Sequence, residues 1–566
     1  PCGEGCDAVP EDGKGSFDGM SKDPVATAAG NNPALKTLTG AIKEAKLAST
    51  LNSADEITVF APTNDAFEAM DQATLDKAMD DPEGLLTTVL THHVVEGELA
   101  PEDLAGTHET MAGDEITVEG SDEDFTVDEA KVVCGDVQTA NATVYIVDGA
   151  RTPFIKARGK PGPFTPVDLA VQCGRPLLLR QGFDLSAIDL VVLGCVNVVA
   201  EEMNPARVAT LRLGLPETVP AYTVQVNCGS GMLSIDTALR QISDGQAEIA
   251  LAGGAEALSH SPLVLSRNAV DWFAKLNGAR SAGDRVKAAA GWRPEFLKPI
   301  VGLERGLTDP ITDLNMGQTA EKVAHLFGVT REEADVYAAE SHRRLAAAHA
   351  EGRLKGELIP AFARDGQVFD HDDGVRPDSS AAKLGQLKPV FERPYGRVTA
   401  GNSSQITDGA SWTLLASEEA LEKHGLTPIA RIVDSHWDAL DPSIMGLGPA
   451  LSIASLLKRN STSLDAIDLV ELNEAFAVQV LGCVRALEDE TVCREVMGLD
   501  GAAGTIDREK LNVDGGAIAL GHPVGTSGNR ITLHLARQLK DRGLKRGIAT
   551  QCVGGGLGGA LLLEAA

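Results

Sequence analysis

The first 143 residues contain no arginine; the earliest is Arg151. They hold 7 Lys against 30 Asp+Glu, a net of 7 − 30 = −23 out of the chain's −31. So acidic a surface repels nucleic acid phosphate and anionic lipid, and otherwise serves solubility. All four tryptophans (272, 292, 412 and 437) also come later. The change near residue 143 argues for two modules with separate histories. No apolar run approaches the ~20 residues of a membrane-spanning helix. No secretion leader is read in the sequence, which leaves the compartment open. The nine cysteines show no C-x2-C pair or other metal-ligand spacing, so no metal is expected. At 566 residues the chain has ample length for several cores.

Within the acidic segment, residues 1–22 are rich in Gly, Asp and Glu and read as a lead-in. Leu35, Leu38, Ile42 and Leu47 give 34–51 a helical stripe, and residues 56–60 read as a strand. Residues 115–133 alternate like hairpin strands up to Cys134. His92 and His93 read better as a packed or hydrogen-bonded pair at a helix end than as ligands. Asn141-Ala142-Thr143 fits a glycosylation sequon, although its place beside a strand makes it mere sequence. Met20–Ala26, TVFAPTNDAF (58–67), LTHHVV (90–95) and TANATVYIVDG (139–149) together resemble a secreted mycobacterial fasciclin domain. That resemblance implies a small α+β adhesion or binding module without catalytic groups. It also implies a disulfide between Cys6 and Cys134.

Past the acidic segment the chain repeats itself. AIDLV occurs at 187–191 and again at 466–470, each opening an apolar strand. SGMLSIDTALRQI (230–242) is echoed by SGNRITLHLARQL (527–539), and each is followed by a strand and a glycine cluster. Internal duplication of a βαβ-rich unit accounts for this. The stretch at about 260–390 is rich in Arg, Lys and Pro and reads as an irregular insertion.

Four motifs carry possible chemistry. Cys228, in VNCGSG, sits just before a helix, whose N–H groups and positive dipole end favour a thiolate. Alone it would be a small residue at a tight junction. His522, in GHPVGTSG, precedes the duplicated helix; alone it would cap or pack. A phosphate-cradling loop is the rival reading there, although the Walker lysine is missing. If the two halves pack about a pseudo-twofold axis, the two helix starts meet and pair Cys228 with His522, as thiol catalysis requires. Asn473-Glu474, in ELNEAF, follows a strand, and Asn473 would otherwise be a helix N-cap. Cys552 precedes Gly554-Gly555-Gly556, where glycines allow close backbone approach. A dinucleotide loop is disfavoured there, since no βαβ unit follows.

In this order, with RTPF (151–154), MGQTAE (316–321), AGNSS (400–404) and MGLGP (445–449), the motifs resemble a thiolase from residue 144 onward. GLTDPITDLNMGQTAE (306–321) is similar to the subgroup found in fatty-acid β-oxidation complexes. The implied architecture is α/β: a duplicated thiolase fold of two βαβαβαββ halves in αβαβα layers, with an inserted loop domain, behind a small α+β fasciclin-like domain. The boundaries expected are 1–143, 144–420 (loop domain about 260–390) and 421–566.

The resemblance implies acyl transfer from 3-ketoacyl-CoA to CoA, or the reverse condensation, through an acyl-cysteine. Cys228 is then the nucleophile and His522 its base. Cys552 is the acid/base at the substrate Cα. Asn473 holds a water for one oxyanion hole, and the N–H groups of Cys228 and Gly554 form the other. Ser404 lies along the pantetheine arm. Acyl-CoA and CoA are substrates, and no cofactor, metal or nucleic acid is implied. A homodimer or tetramer is expected, with a hydratase/dehydrogenase partner subunit as a further expectation. The thiolase chemistry implies a cytoplasmic setting, whereas the fasciclin-like module implies secretion or the cell surface. The rival reading is a surface adhesion protein with a passenger thiolase region. One strand, Val144–Val147, is claimed by both modules, and is expected to belong to the larger sheet.

Overall fold

A computed structural model describes residues 3–566, apart from residues 4, 7, 8, 22, 53, 55, 56, 122, 123, 129, 138 and 140–142. The sequon at Asn141 and the first residue of the expected strand, Glu56, lie outside the described residues. The chain forms two compact units: residues 1–145 with 237–250 and 415–433, and the remainder. No helix among the described residues is long and apolar enough to cross a membrane.

In the first unit the expected stripe over 34–51 is carried by two helices, Lys36–Glu44 and Ala48–Asn52. The break falls at Lys46, whose φ of 57° is left-handed and cannot continue a helix. Leu38, Ala41, Ile42 and Leu51 nevertheless face one core with Leu86, Leu90 and Val94. Ile57–Val59 pairs antiparallel with Val94–Glu96. Gly106–Glu109, Glu115–Ser121, Asp124–Val127 and Ala130–Lys131 form a four-stranded antiparallel meander. Cys6 and Cys134 are joined by a disulfide. His92 Nδ1 lies 2.8 Å from Asp114 Oδ2, and His93 Nδ1 lies 2.7 Å from the Val89 carbonyl. Among the described residues no three His, Cys, Asp or Glu side chains cluster as metal ligands would.

The large sheet explains the sequence repeats. Its main strands are β1 (Val144–Arg151), β2 (Leu190–Gly194), β3 (Ala221–Val224), β4 (Ile249–Ala257) and β5 (Thr407–Ser417) from the first half. The second half adds β6 (Ala430–Ala439), β7 (Leu469–Leu472), β8 (Arg546–Val553) and β9 (Leu557–Ala565). The order is β3-β2-β4-β5-β1-β6-β9-β8-β7. Numbered within each half, the first reads 3-2-4-5-1 and the second 1-5-4-2. A parallel bridge between Val470 and Leu511 stands where the second half's third strand would be. The AIDLV repeats lead into β2 and β7, the equivalent strands. Three helices also recur: α1 (Pro166–Leu179), α2 (Pro205–Leu213) and α3 (Ser230–Ser243) match α4 (Gly448–Arg459), α5 (Ala477–Glu488) and α6 (Ser527–Arg542).

The contested strand β1 lies inside this sheet, with Val144, Ile146 and Ala150 fully buried. The boundary between the compact units falls within it, between Tyr145 and Ile146.

The insertion is not irregular. It contains the helices Arg267–Gly278, Ala282–Ala290, Met316–Leu326 and Arg331–Glu351. The longest buries Ala334, Ala338, Ser341, Leu345 and Ala348, alternating steps of four and three. Small alanines carry that stripe, so charged neighbours obscure it in sequence. A Thr330–Glu333 capping box starts the helix, and Gly352 in the left-handed region ends it.

Candidate active site

All the catalytic candidates belong to the second unit. Cys228 occupies the turn from β3 into α3. Asn227 takes φ 47°, and Ser230 Oγ accepts from the Val226 N–H at 2.9 Å while donating to the Asn227 carbonyl at 2.7 Å. Asn227 Nδ2 donates across to the Gly554 carbonyl at 2.8 Å, tying the cysteine turn to the glycine run after β8.

The starts of α3 and α6 pack against each other. A Cβ on Gly231 would lie 2.9 Å from the Asn529 nitrogen and the Gly525 carbonyl. A Cβ on Gly528 would lie 2.6 Å from the Met232 nitrogen. The paired Ser-Gly starts therefore permit a backbone-to-backbone approach no other residue allows. It brings two positive helix ends close together.

His522 is buried in the loop ahead of α6. Its N–H donates to the Gln405 carbonyl at 2.9 Å, its Nδ1 lies 2.6 Å from Ser527 Oγ, and its Nε2 has no hydrogen-bond partner. Burial, reinforced by Arg530, pushes its pKa down to about 4, so the ring is neutral at physiological pH. Asn473 follows β7 and is fully buried, and neither side-chain atom has a partner among the described residues. It is not a helix cap: α5 begins after Phe476, without a side-chain cap. Its neighbour Glu474 is the opposite case. Its carboxylate accepts from Tyr337 Oη (2.9 Å), Ser341 Oγ (2.7 Å), Asn512 Nδ2 (3.1 Å) and the Ile518 N–H (3.2 Å).

Cys552 is buried beside Met445 and Ala475, with Met316 and Phe476 packed alongside. The half-buried Ser404 donates its N–H to the Ala475 carbonyl at 2.9 Å, so the segment around Ser404 and Gln405 joins the Asn473 and His522 loops.

The thiols depart from the expectation that a helix end leaves a thiolate. Burial pushes the Cys228 pKa above its usual value, although the N–H groups of Gly554 and of Cys228 itself pull it down. Burial also pushes Cys552 well up, and nearby Cys228 and Cys483 add to the shift. Desolvation outweighs the dipole, so both rest as thiols.

Sequence reasoning passed over three groups here. Asn227 and Ser527 lie inside quoted motifs, but only their contacts give them roles. Glu256 lies in the strand and glycine cluster that follow the first Ser-Gly helix; a lone carboxylate there was the available signal.

The second unit thus holds the half-buried Cys228 thiol, a neutral buried histidine and a buried amide with no partner among the described residues, on a duplicated α/β framework. The comparisons supply the family. The thiolase N-terminal domain profile matches residues 144–419, the thiolase C-terminal domain profile matches 426–565, and the fasciclin domain profile matches 33–152. The chain belongs to the thiolase family and carries a fasciclin domain ahead of the enzyme. The matches overlap over residues 144–152, which include the whole of β1. A β-ketoadipyl-CoA thiolase of Pseudomonas aeruginosa is 41% identical over 427 residues, 74% of this chain and 98% of that protein. The human mitochondrial 3-ketoacyl-CoA thiolase is 37% identical over 425 residues, 74% of this chain and 98% of that protein. A crystal structure of that human enzyme in complex with CoA aligns with TM-score 0.65 at 36% identity, covering 75% of this chain and 98% of that one. The chain is accordingly an acyl-CoA acyltransferase.

Proposed function

We propose that the enzyme cleaves 3-ketoacyl-CoA with CoA, and runs the reverse condensation, with Cys228 as nucleophile. The observation carrying this reading is a set of unused polar groups: His522 Nε2 and both side-chain atoms of Asn473 are buried without partners. Orphaned buried groups are costly, which fits sites kept open for substrate.

In the forward direction His522 takes the Cys228 proton and the thiolate attacks the 3-keto carbon. The alkoxide is met by preorganised donors, each worth about 3–4 kcal/mol where such donors have been removed. The Cα–Cβ bond then breaks. Its electron pair leaves as the enolate of acetyl-CoA and takes a proton from Cys552, while the shortened acyl group stays on Cys228. The CoA thiol then gives its proton to the Cys552 thiolate and attacks the acyl-cysteine; acyl-CoA leaves, and the departing Cys228 sulfur takes its proton back from His522. Asn473 and His522 serve one oxyanion through a bound water, and the N–H groups of Cys228 and Gly554 serve the other. Ser404 flanks the pantetheine arm. The chain's own groups suffice for these steps, with no metal or redox cofactor called on. Acetyl-CoA incubated with the protein should leave an acetyl-sized adduct on Cys228 by mass spectrometry. Its absence, or unchanged turnover in Cys228→Ala, defeats the reading.

A homodimer or tetramer, with a hydratase/dehydrogenase subunit as partner, follows from the same family reading and is tested by size-exclusion with light scattering. The Cys6–Cys134 disulfide supports a second reading, a secreted or surface adhesion protein with a passenger enzyme region, since disulfides persist in oxidising compartments. A cytoplasmic enzyme should instead be active in the reduced fraction of cells. Secretion without thiolysis would favour the second reading.

A further inference from the structure

Glu256 has no exposed surface and lies in β4, whose nine residues are all buried. A carboxylate in such a place needs partners. Three backbone amides provide them. Oε2 accepts from Val196 at 3.1 Å and from Gly525 at 3.0 Å, and Oε1 accepts from Asn197 at 2.9 Å. Val196 and Asn197 follow β2, whereas Gly525 is three residues past His522. Gly254 shares the face of β4 that carries Glu256, and a Cβ on it would overlap the Gly525 carbonyl. A Cβ on Gly525 would meet Glu256 Oε2 at 2.8 Å and the Cys195 Cα at 3.1 Å. The histidine loop thus lies directly on β4, pinned there by one carboxylate.

We propose that Glu256 is a positioning residue for acyl transfer: by clamping the Gly525 N–H, its ionised carboxylate holds the 521–526 loop so that His522 Nε2 faces the reacting thiol. This rests on the role given to His522 above. Both carboxylate oxygens are acceptors here, so protonation would set an O–H donor against amide donors. Burial pushes the Glu256 pKa up to about 7; Asp408 pushes the same way, and the three amides pull it down. The titratable groups around it are Asp408 on β5, the Cys195 thiol after β2 and the Cys228 thiol before α3, on which Glu256 acts electrostatically. His522, held at about 4, stays neutral throughout this range. Activity should therefore fall as pH drops through about 7.

The test is kcat and KM against pH for the full-length protein, Glu256→Gln and His522→Ala. Glu256→Gln should keep its circular dichroism spectrum, lose about 10- to 100-fold in kcat with little change in KM, and lack the acid limb. A folded Glu256→Gln with unaltered kcat and acid limb overturns the proposal, as does a loss of kcat merely proportional to the unfolded fraction. Should Glu256→Gln fail to fold, amide exchange on the unmutated protein decides. Protection at Val196, Asn197 and Gly525 should weaken together below about pH 7 once intrinsic rates are removed, and independent behaviour overturns the clamp. An active His522→Ala sinks the histidine assignment itself. An inactive His522→Ala beside an unaltered Glu256→Gln sinks only the clamp.

Discussion

Asn473 and Glu474 are adjacent, both buried, and should respond to alanine in opposite ways. Among the described residues Asn473 makes no side-chain hydrogen bond, whereas Glu474 accepts four. A buried polar group without a partner costs about 1–3 kcal/mol. Asn473→Ala removes two such atoms and breaks no bond, so thermal stability should hold or rise, offset only by the small cavity. If its amide serves an oxyanion, the same change should cost 10²–10³ in kcat, about 2.7–4 kcal/mol. Glu474→Ala instead strands the Tyr337 and Ser341 hydroxyl donors and the Ile518 N–H, and should destabilise by several kcal/mol. The assay pairs differential scanning calorimetry with initial rates of acetoacetyl-CoA thiolysis on both variants. An Asn473→Ala protein that melts much lower, or that keeps kcat within about threefold, would refute the reasoning. The first outcome would mean the amide has a structural partner, the second that it has no role in the transition state.

Cys552→Ala should abolish deuterium exchange into the acetyl-CoA methyl group while acetylation of Cys228 persists; loss of both would place Cys552 elsewhere in the reaction. Cys6→Ser opens a loop closed over 128 residues, which the chain-entropy relation values at about 5 kcal/mol. The fasciclin segment should then melt earlier with thiolysis unchanged, and a parallel loss of activity would contradict this. A buried ion network predicts a pH optimum of stability. Arg151 meets Glu357 and Asp372 at 2.8 Å each, and His534 Nδ1 lies 2.9 Å from Glu357. Asp514 Oδ2 lies 3.4 Å from His534 Nε2, an ion pair without hydrogen-bond geometry. Burial would raise the Glu357 pKa, but His534 and Arg151 override it and hold it at about 2. Burial would lower that of His534, but Glu357 and Asp514 hold it at about 10. The Glu357 contribution is present above its ordinary 4.5 and lost as pH falls towards 2. The His534 contribution is complete below 6.5 and lost as pH rises through 10. Melting temperature should therefore be highest between about 4.5 and 6.5, and His534→Gln should flatten the alkaline decline; an unchanged decline would show another group is responsible.

The chemistry of this protein was legible in its sequence because it depends on residue types that local backbone must accommodate. Cys228 and His522 each precede a Ser-Gly helix start, and the repeats around them disclose the duplication. The architecture followed, because a repeated βαβ pattern has few ways to bury its strands. Tertiary structure decided what depends on the surroundings of a side chain. Neither the alanine stripe of Arg331–Glu351 nor the break at Lys46 was visible through its charged and apolar neighbours. Burial, which no motif encodes, set both thiols above their usual pKa and His522 below it. That Asn473 is no helix cap, and has no side-chain partner among the described residues, emerged only in the fold. Glu256 gained a role only when Gly525, 269 residues away, was found against it. The strand Val144–Arg151 carries the pattern of two families, and it belongs, as expected, to the larger sheet. The sheet places it between β5 and β6, because a strand's two edges can be hydrogen-bonded only once.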